Sequence, residues 1–364
     1  MDRGPAVVVP EGSAVGTDSE AQRESLKADS FPYYYWTLAG TIFILWLGWG
    51  VVAWLVSGPH QITRYRTHAN SAAEMALLSE AAAIALALVV SVLLIRQCRR
   101  QKRLTFEAQF CIAASFLLLL DPGINFVQPL FFYSSTFVNL NSWLGHVPFV
   151  VNPAANSIPI PIITQPMFYS FGFLVIVMFI NWTQQIWLRL SPEATGYQLF
   201  VVAVVVGWGC DFISTYPQYL SHLYDFPGTP NIKVLGVEIN RLGGNPAYSM
   251  LTEGLVLGIA FAVFATIRRQ RDALGKTIFE RNLDRVTPRW RKMVSILSLT
   301  GVLMTTLFAA ELVQISAGLH SAPYQRVPTY LVNGACDAPG ITGTSYGPCP
   351  GSQDYRMPIR GQSR

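Results

Sequence analysis

Apolar residues in this chain come in long unbroken runs, without the two-residue alternation of a strand or the polar face of a surface helix. Seven runs are long enough for a helix to cross the roughly 30 Å hydrocarbon core of a bilayer. They are Tyr34–Val56, Met75–Ile95, Leu104–Leu120, Pro166–Leu188, Tyr197–Tyr216, Pro246–Ile267 and Met293–Ile315. The pattern predicts an all-α polytopic membrane protein, a bundle of about seven transmembrane helices. A polar, small-residue-rich stretch over residues 1–33 reads as a disordered tail, and a Pro- and Gly-rich stretch over 317–364 as a second tail, leaving 34–316 as the membrane domain.

One apolar segment breaks the pattern. Phe126–Val151 is almost hydrophobic enough to cross, yet Pro129, Asn139, Asn141, Ser142, Gly145, His146 and Pro148 suit a lipid-facing helix poorly. Between Pro122 and Gln165 there is no Lys, Arg, Asp or Glu. The loop 122–165 therefore reads as a re-entrant or surface-lying lid over a cavity.

Composition agrees with this reading: 51% of residues are hydrophobic and 13% charged, about half the charge of a soluble domain. The net charge of +5 is no sign of a nucleic-acid partner, because the cations cluster in short loops. Arg96, Arg99, Arg100, Lys102 and Arg103 follow the second span, and a larger set from Arg268 to Lys292 separates the last two. The positive-inside rule makes both loops cytoplasmic, hence an internal N-terminus and an external C-terminus in a multi-pass cell-membrane protein. A further crossing in the lid would reverse the later cluster. Cys336 and Cys349 fall in the external tail, where a disulfide and two free thiols are both open readings.

The chemistry lies in the acids. Glu80, Asp121, Asp211, Glu253 and Glu311 occur inside apolar runs, where each ionised carboxylate costs roughly 2 to 3 kcal/mol unless it faces protein or water. At about 1.5 Å per residue, all five reach one layer in the outer part of the bundle. A single acid near a helix end can snorkel or cap a neighbour, a reading that weighs equally for Asp121. Four deeper ones predict a shared polar cavity. Helical spacing adds Gln314 beside Glu311, Ser249 one turn before Glu253, and Trp208 and Thr215 around Asp211; Tyr169, Tyr216 and Trp143 lie at similar depth, although an interfacial aromatic belt also explains such residues. Carboxyl groups sharing a desolvated site resist joint ionisation, so a neutral acid beside an ionised one supplies a general acid and a general base.

Other chemistries lack their residues. The five histidines fall in outer segments without metal-ligand spacing, the last span holds no lysine for a Schiff base, and no phosphate loop, nucleophile elbow or CxxC pair occurs. The expectation is cofactor-free and metal-free acid–base work, or transport.

The segment Asp121-Pro122-Gly123-Ile124-Asn125, followed by Tyr133 and then Asn139-Leu140-Asn141-Ser142-Trp143, resembles the avermectin spirocyclase (AveC-like) family of actinobacterial membrane proteins. The similarity runs from about Tyr34 to Gln314. It implies closure of a dihydroxy-ketone polyketide into a spiroketal, in some members with a dehydration. On this reading Asp121, Asp211, Glu253 and Glu311 are the catalytic set. Glu80, Asn125, Tyr133, Asn139, Asn141, Trp143, Tyr169, Trp208, Tyr216, Ser249 and Gln314 contact an apolar, lipid-like substrate among membrane lipids; the oligomeric state is left open.

The alternative is a proton-coupled transporter or lipid-binding protein using the same acids. It requires polar residues continuing to the cytoplasmic side, where Asn181, Thr183 and Gln184 are the candidates. A purely structural membrane subunit would pair its buried acids with cations.

Overall fold

A computed structural model describes residues 33–59, 70–127, 130–134, 136–152, 155–225, 233–234, 237–238, 253–271, 277, 279 and 283–318. Long helices dominate: α1 (Tyr33–Ser57), α2 (Asn70–Gln101), α3 (Phe106–Asn125), α4 (Thr164–Leu190), α5 (Gly196–Leu220), α6 (Gly254–Arg269) and α7 (Arg291–Gly318). Six of them are long and apolar enough to cross a membrane. The remaining expected span corresponds to α6, of 16 residues; its expected first part, with Ser249, lies outside the described residues, as do residues 1–32 and 319–364 with Cys336 and Cys349.

Burial sorts the helices. α3 is the central one, with 67% of its most apolar stretch buried, whereas α1 and α2 reach only 22% and 17% and turn their aliphatic side chains outward. The centre is aromatic: Phe110 meets Phe264 at 6.2 Å between ring centres, and Phe173 meets Phe261 at 4.8 Å. Two close crossings bring backbones together. α1 lies on α7 where Gly40 faces Gly301, and α5 lies on α6 where Gly207 faces Gly258. A Cβ on Gly207 would stand 3.1 Å from the Gly258 carbonyl oxygen, so small residues set these spacings.

Two helices depart from α geometry. α3 winds as an α-helix to Ser115 and then as a 3₁₀-helix over Phe116–Asn125, carrying Pro122 inside it. The expected end at Leu120 is thus passed by a full turn and more. In α4, Phe168–Gly172 form a π turn, a wider winding that inserts an extra residue and often marks functional sites.

The segment after α3 makes no further crossing. Its strands β1 (Phe132–Tyr133), β2 (Asn139–Asn141) and β3 (Pro159–Pro161), with short 3₁₀ turns, fold into a buried cap. β2 pairs antiparallel with β3, and β1 pairs antiparallel with β4 (Tyr224–Asp225), placing Tyr133 opposite Tyr224 and tying the cap to the end of α5. Asn125 organises the turn into the cap: its Oδ1 accepts from the amides of Leu130 (2.7 Å) and Phe131 (2.9 Å), and its carbonyl accepts from Asn152 Nδ2 (2.7 Å). Val147 sits against Gly50 of α1, and the Trp46 indole donates to the Pro148 carbonyl.

Candidate functional site

The 3₁₀ end of α3 presents Asp121 to the interior, 6% exposed. Its Oδ1 accepts two hydrogen bonds, from Tyr133 Oη at 2.8 Å and Tyr169 Oη at 3.1 Å. Tyr133 is held by the β1–β4 ladder and Tyr169 stands on the π turn, so both irregular elements converge on one carboxyl oxygen. Burial, and after it the neighbouring Asp121, holds the Tyr133 phenol well above its ordinary pKa, which keeps it a neutral donor.

Glu311 approaches from α7. A Cβ on Gly123 would run into its Oε2, so the glycine lets that carboxyl lie directly against the α3 backbone. Asp121 Oδ2 and Glu311 Oε2 are both buried and have no hydrogen-bond partner among the described residues. Unpaired buried carboxyl oxygens are costly, and their concentration at one place calls for a functional explanation.

These groups line a small chamber of about 80 Å³ together with Glu253 and Gln314. A larger chamber of about 450 Å³ adjoins it, within the size range of small-molecule sites. Glu253, Tyr133 and Tyr169 belong to the walls of both. In the larger one, Asp211, Ser214, Thr215 and Gln218 form a polar strip along α5, facing Phe168 and Phe173 of α4, with Leu257 and Phe261 of α6 nearby. Ser214 and Thr215 hydroxyls donate back to the Asp211 backbone carbonyl at 3.0 and 2.7 Å, and the Asp211 side chain is buried beside Gly254 of α6.

The other expected contacts stand apart from the chambers. Glu80 Oε1 accepts from the Val138 amide at 2.7 Å and so fastens α2 to the cap. Asn139 donates to the Ser134 carbonyl, Asn141 accepts from the Trp54 indole, and Trp143 donates to the Leu119 carbonyl while packing edge-on against Trp54 at 5.8 Å. Trp208 lies at the α5–α6 contact over Gly254, and Tyr216 stacks on Phe212 at 5.0 Å. Wall residues that patterning passes over are Phe131, Gln165, Phe168, Ser214, Gln218 and Tyr224. Of these, Ser214 and Gln218 recur on one face of α5 with Asp211, which is a legible spacing.

At the end of the bundle carrying the basic clusters, Arg268 forms an ion pair with Glu107 (2.9 Å) and donates to Asn181 Oδ1 (3.0 Å). Asn181 donates to the Ala265 carbonyl and to Gln184, whose amide donates to the Leu199 carbonyl. Four helices are thereby tied together.

The sequence model described as "Spirocyclase AveC-like" matches residues 101–329, more than half of the chain. The chain belongs to the AveC-like spirocyclase family. The match to the AveC-like family takes in α3 to α7 and the cap, hence every acid at the two chambers; α1 and nearly all of α2, including Glu80, precede it, a shorter reach at that end than the resemblance implied. No curated protein and no solved structure matches this AveC-like chain.

Proposed function

We propose that this AveC-like protein is a membrane-embedded acid–base cyclase that closes a neutral dihydroxy ketone, or a similar lipid-like chain, into a spiroketal without a cofactor. The observation that carries the reading is the shared wall: Glu253, Tyr133 and Tyr169 border both chambers, with Asp121 and Glu311 on one side and Asp211 on the other. Family membership supports the reaction class, and the acids grouped at the chambers support an acid–base route to it.

In such a closure one hydroxyl adds to the ketone carbon while its proton passes to the carbonyl oxygen, giving a hemiketal. A protonated carboxyl then donates to the hemiketal hydroxyl, which leaves as water; an ionised neighbour stabilises the oxocarbenium ion and takes the proton of the second hydroxyl as it attacks. The balance is substrate less one water. Asp211 and Glu253 are assigned to the larger chamber, where a chain fits, and Asp121, held by its two tyrosines, to the adjoining acid–base reserve with Glu311. The proposed orientation puts the cap outside and the basic clusters in the cytoplasm.

The test is turnover of a linear dihydroxy ketone by the purified protein in lipid discs, read as loss of one water by mass spectrometry. Asp211→Asn and Glu253→Gln are each expected to lower the rate roughly a hundredfold, the size of a general acid or base contribution. Parent rates in folded variants would overturn the assignment.

A further inference from the structure

We infer that the larger chamber is filled sideways from the bilayer, through the cleft between α2 and α5, by an uncharged, oxygen-bearing hydrocarbon chain. The inference rests on the proposed function for its chemistry and on the packing of the bundle for its route.

Two sides of the chamber are closed by what packs there. Toward the cap, Phe131 meets Tyr133 at 4.6 Å and Tyr224 at 5.4 Å between ring centres, and all three rings are buried. Toward the basic end, Phe173 and Phe261 pack into the aromatic centre, and beyond them lies the Glu107–Arg268–Asn181–Gln184 network. The third side differs. α2 leans on the first turns of α4, whereas α5 packs on α4 and α6, so the two helices flank the chamber without being each other's principal neighbour. Its α2 wall is made of Ser79, Ala82 and Ala83, which are small, and of Leu86 one turn further on; Ala82 is exposed while lining the chamber. Beside this wall Leu78 is 60% exposed and, on α5, Ile213 is 72% exposed, which is the composition of a lipid-facing surface. A ligand dissolved in the bilayer meets this wall directly.

The wall also selects the ligand. Phe168, Phe173 and Phe261 favour hydrocarbon, while Asp211 and Glu253 bring two carboxyl groups to the same wall, with the Thr164 hydroxyl, which has no hydrogen-bond partner among the described residues. Hydroxyl and carbonyl oxygens can exchange hydrogen bonds with carboxyl groups; a ligand with its own carboxylate adds a like charge to a desolvated acidic site and is rejected.

The experiment is photolabelling in neutral vesicles with a medium-chain alcohol carrying an alkyl diazirine, and with the carboxylic acid of the same chain, at a pH where that acid is ionised. Labelled peptides are read by mass spectrometry. The alcohol is expected to label the α5 and α6 peptides, and the acid roughly tenfold less. Ala83→Trp, which fills the cleft, and Ala82→Phe at its rim are each expected to lower alcohol labelling about tenfold, whereas Leu45→Trp on the exposed face of α1 leaves it unchanged. Parent-level labelling in both cleft variants, or equal labelling by the acid, overturns the inference. The two readings fail separately: undiminished turnover in Asp211→Asn and Glu253→Gln removes the cyclase chemistry and leaves the labelling pattern standing. Undiminished labelling in the cleft variants removes the route and leaves the chemistry.

Discussion

Replacing Tyr133 by Phe isolates the most specific contact of the site. The ring keeps its place between Phe131 and the chamber, and only the 2.8 Å hydrogen bond to Asp121 is lost. Asp121 Oδ1 retains Tyr169 at 3.1 Å, and Oδ2 still has no partner among the described residues. A hydrogen bond to a charged group is worth about 1.5–3 kcal/mol, and one between neutral groups about 0.5–1.5 kcal/mol. Tyr133→Phe is therefore expected to destabilise the protein by about 1.5–3 kcal/mol if Asp121 is ionised in the folded state, and by the smaller amount if it carries a proton.

Because both phenols donate to the same oxygen, either can partly compensate for loss of the other. The double variant with Tyr169→Phe should cost more than the two single variants together, with a coupling of about 0.5–3 kcal/mol. The assay is equilibrium denaturant unfolding of the four proteins in one detergent, with Tyr216→Phe as a control that keeps its stack on Phe212. A Tyr133→Phe change below about 0.5 kcal/mol, or singles that add within about 0.3 kcal/mol, would refute the shared-oxygen geometry.

Two further outcomes follow from single contacts. Gly123→Ala places a methyl group where Glu311 Oε2 lies; that oxygen ends a side chain that can swing aside, so turnover is expected to fall as the carboxyl is displaced while unfolding free energy changes by less than about 1.5 kcal/mol, both measured on the same preparation. Arg268→Gln removes the ion pair to Glu107 and weakens the tie to Asn181. With those charged side chains 22% and 13% exposed, a loss of about 1.5–3 kcal/mol in unfolding free energy is expected, with labelling of the larger chamber unchanged.

The spans were legible because unbroken apolar runs leave few alternatives, but their ends depended on local geometry that hydropathy does not encode. Residues before a proline are biased away from helix, which makes Leu120 a natural end; the 3₁₀ winding carries α3 through Pro122 to Asn125 instead. The layer of acids was legible as depth along the helices. Depth is one coordinate, and rotation about the helix axis is set by packing, which is why Glu80, expected at the level of the others, reaches the Val138 amide and lines neither chamber. Tyr169 depends on a π turn with no sequence signature of its own. The Asn-Leu-Asn-Ser-Trp motif stood out by composition, yet Asn139 donates to Ser134, Asn141 accepts from Trp54 and Trp143 donates to Leu119, positions that only the fold brings near. Glu107 is masked by its place in the first turn of α3, where an acid is ordinary, and its partner Arg268 lies 161 residues away.

That distant pair bears on the choice between catalysis and transport. Alternating access needs the basic end of the bundle to open, and Asn181 and Gln184 are the polar residues that would line such a path. Asn181 and Gln184 instead direct their amide donors at the Ala265 and Leu199 carbonyls, and Arg268 joins Asn181 to Glu107. Opening would break two hydrogen bonds to backbone and two made by a guanidinium, a cost of several kcal/mol. The acids, by contrast, cluster at the cap end, where Asp121 Oδ2 and Glu311 Oε2 have no partner among the described residues and line a chamber of about 80 Å³. A transporter would need its unsatisfied groups along a path; a cyclase needs them around one reacting chain and a departing water. Asn181 and Gln184 tied to backbone at the basic end, set against the carboxyl groups gathered around the two chambers, favour the cyclase.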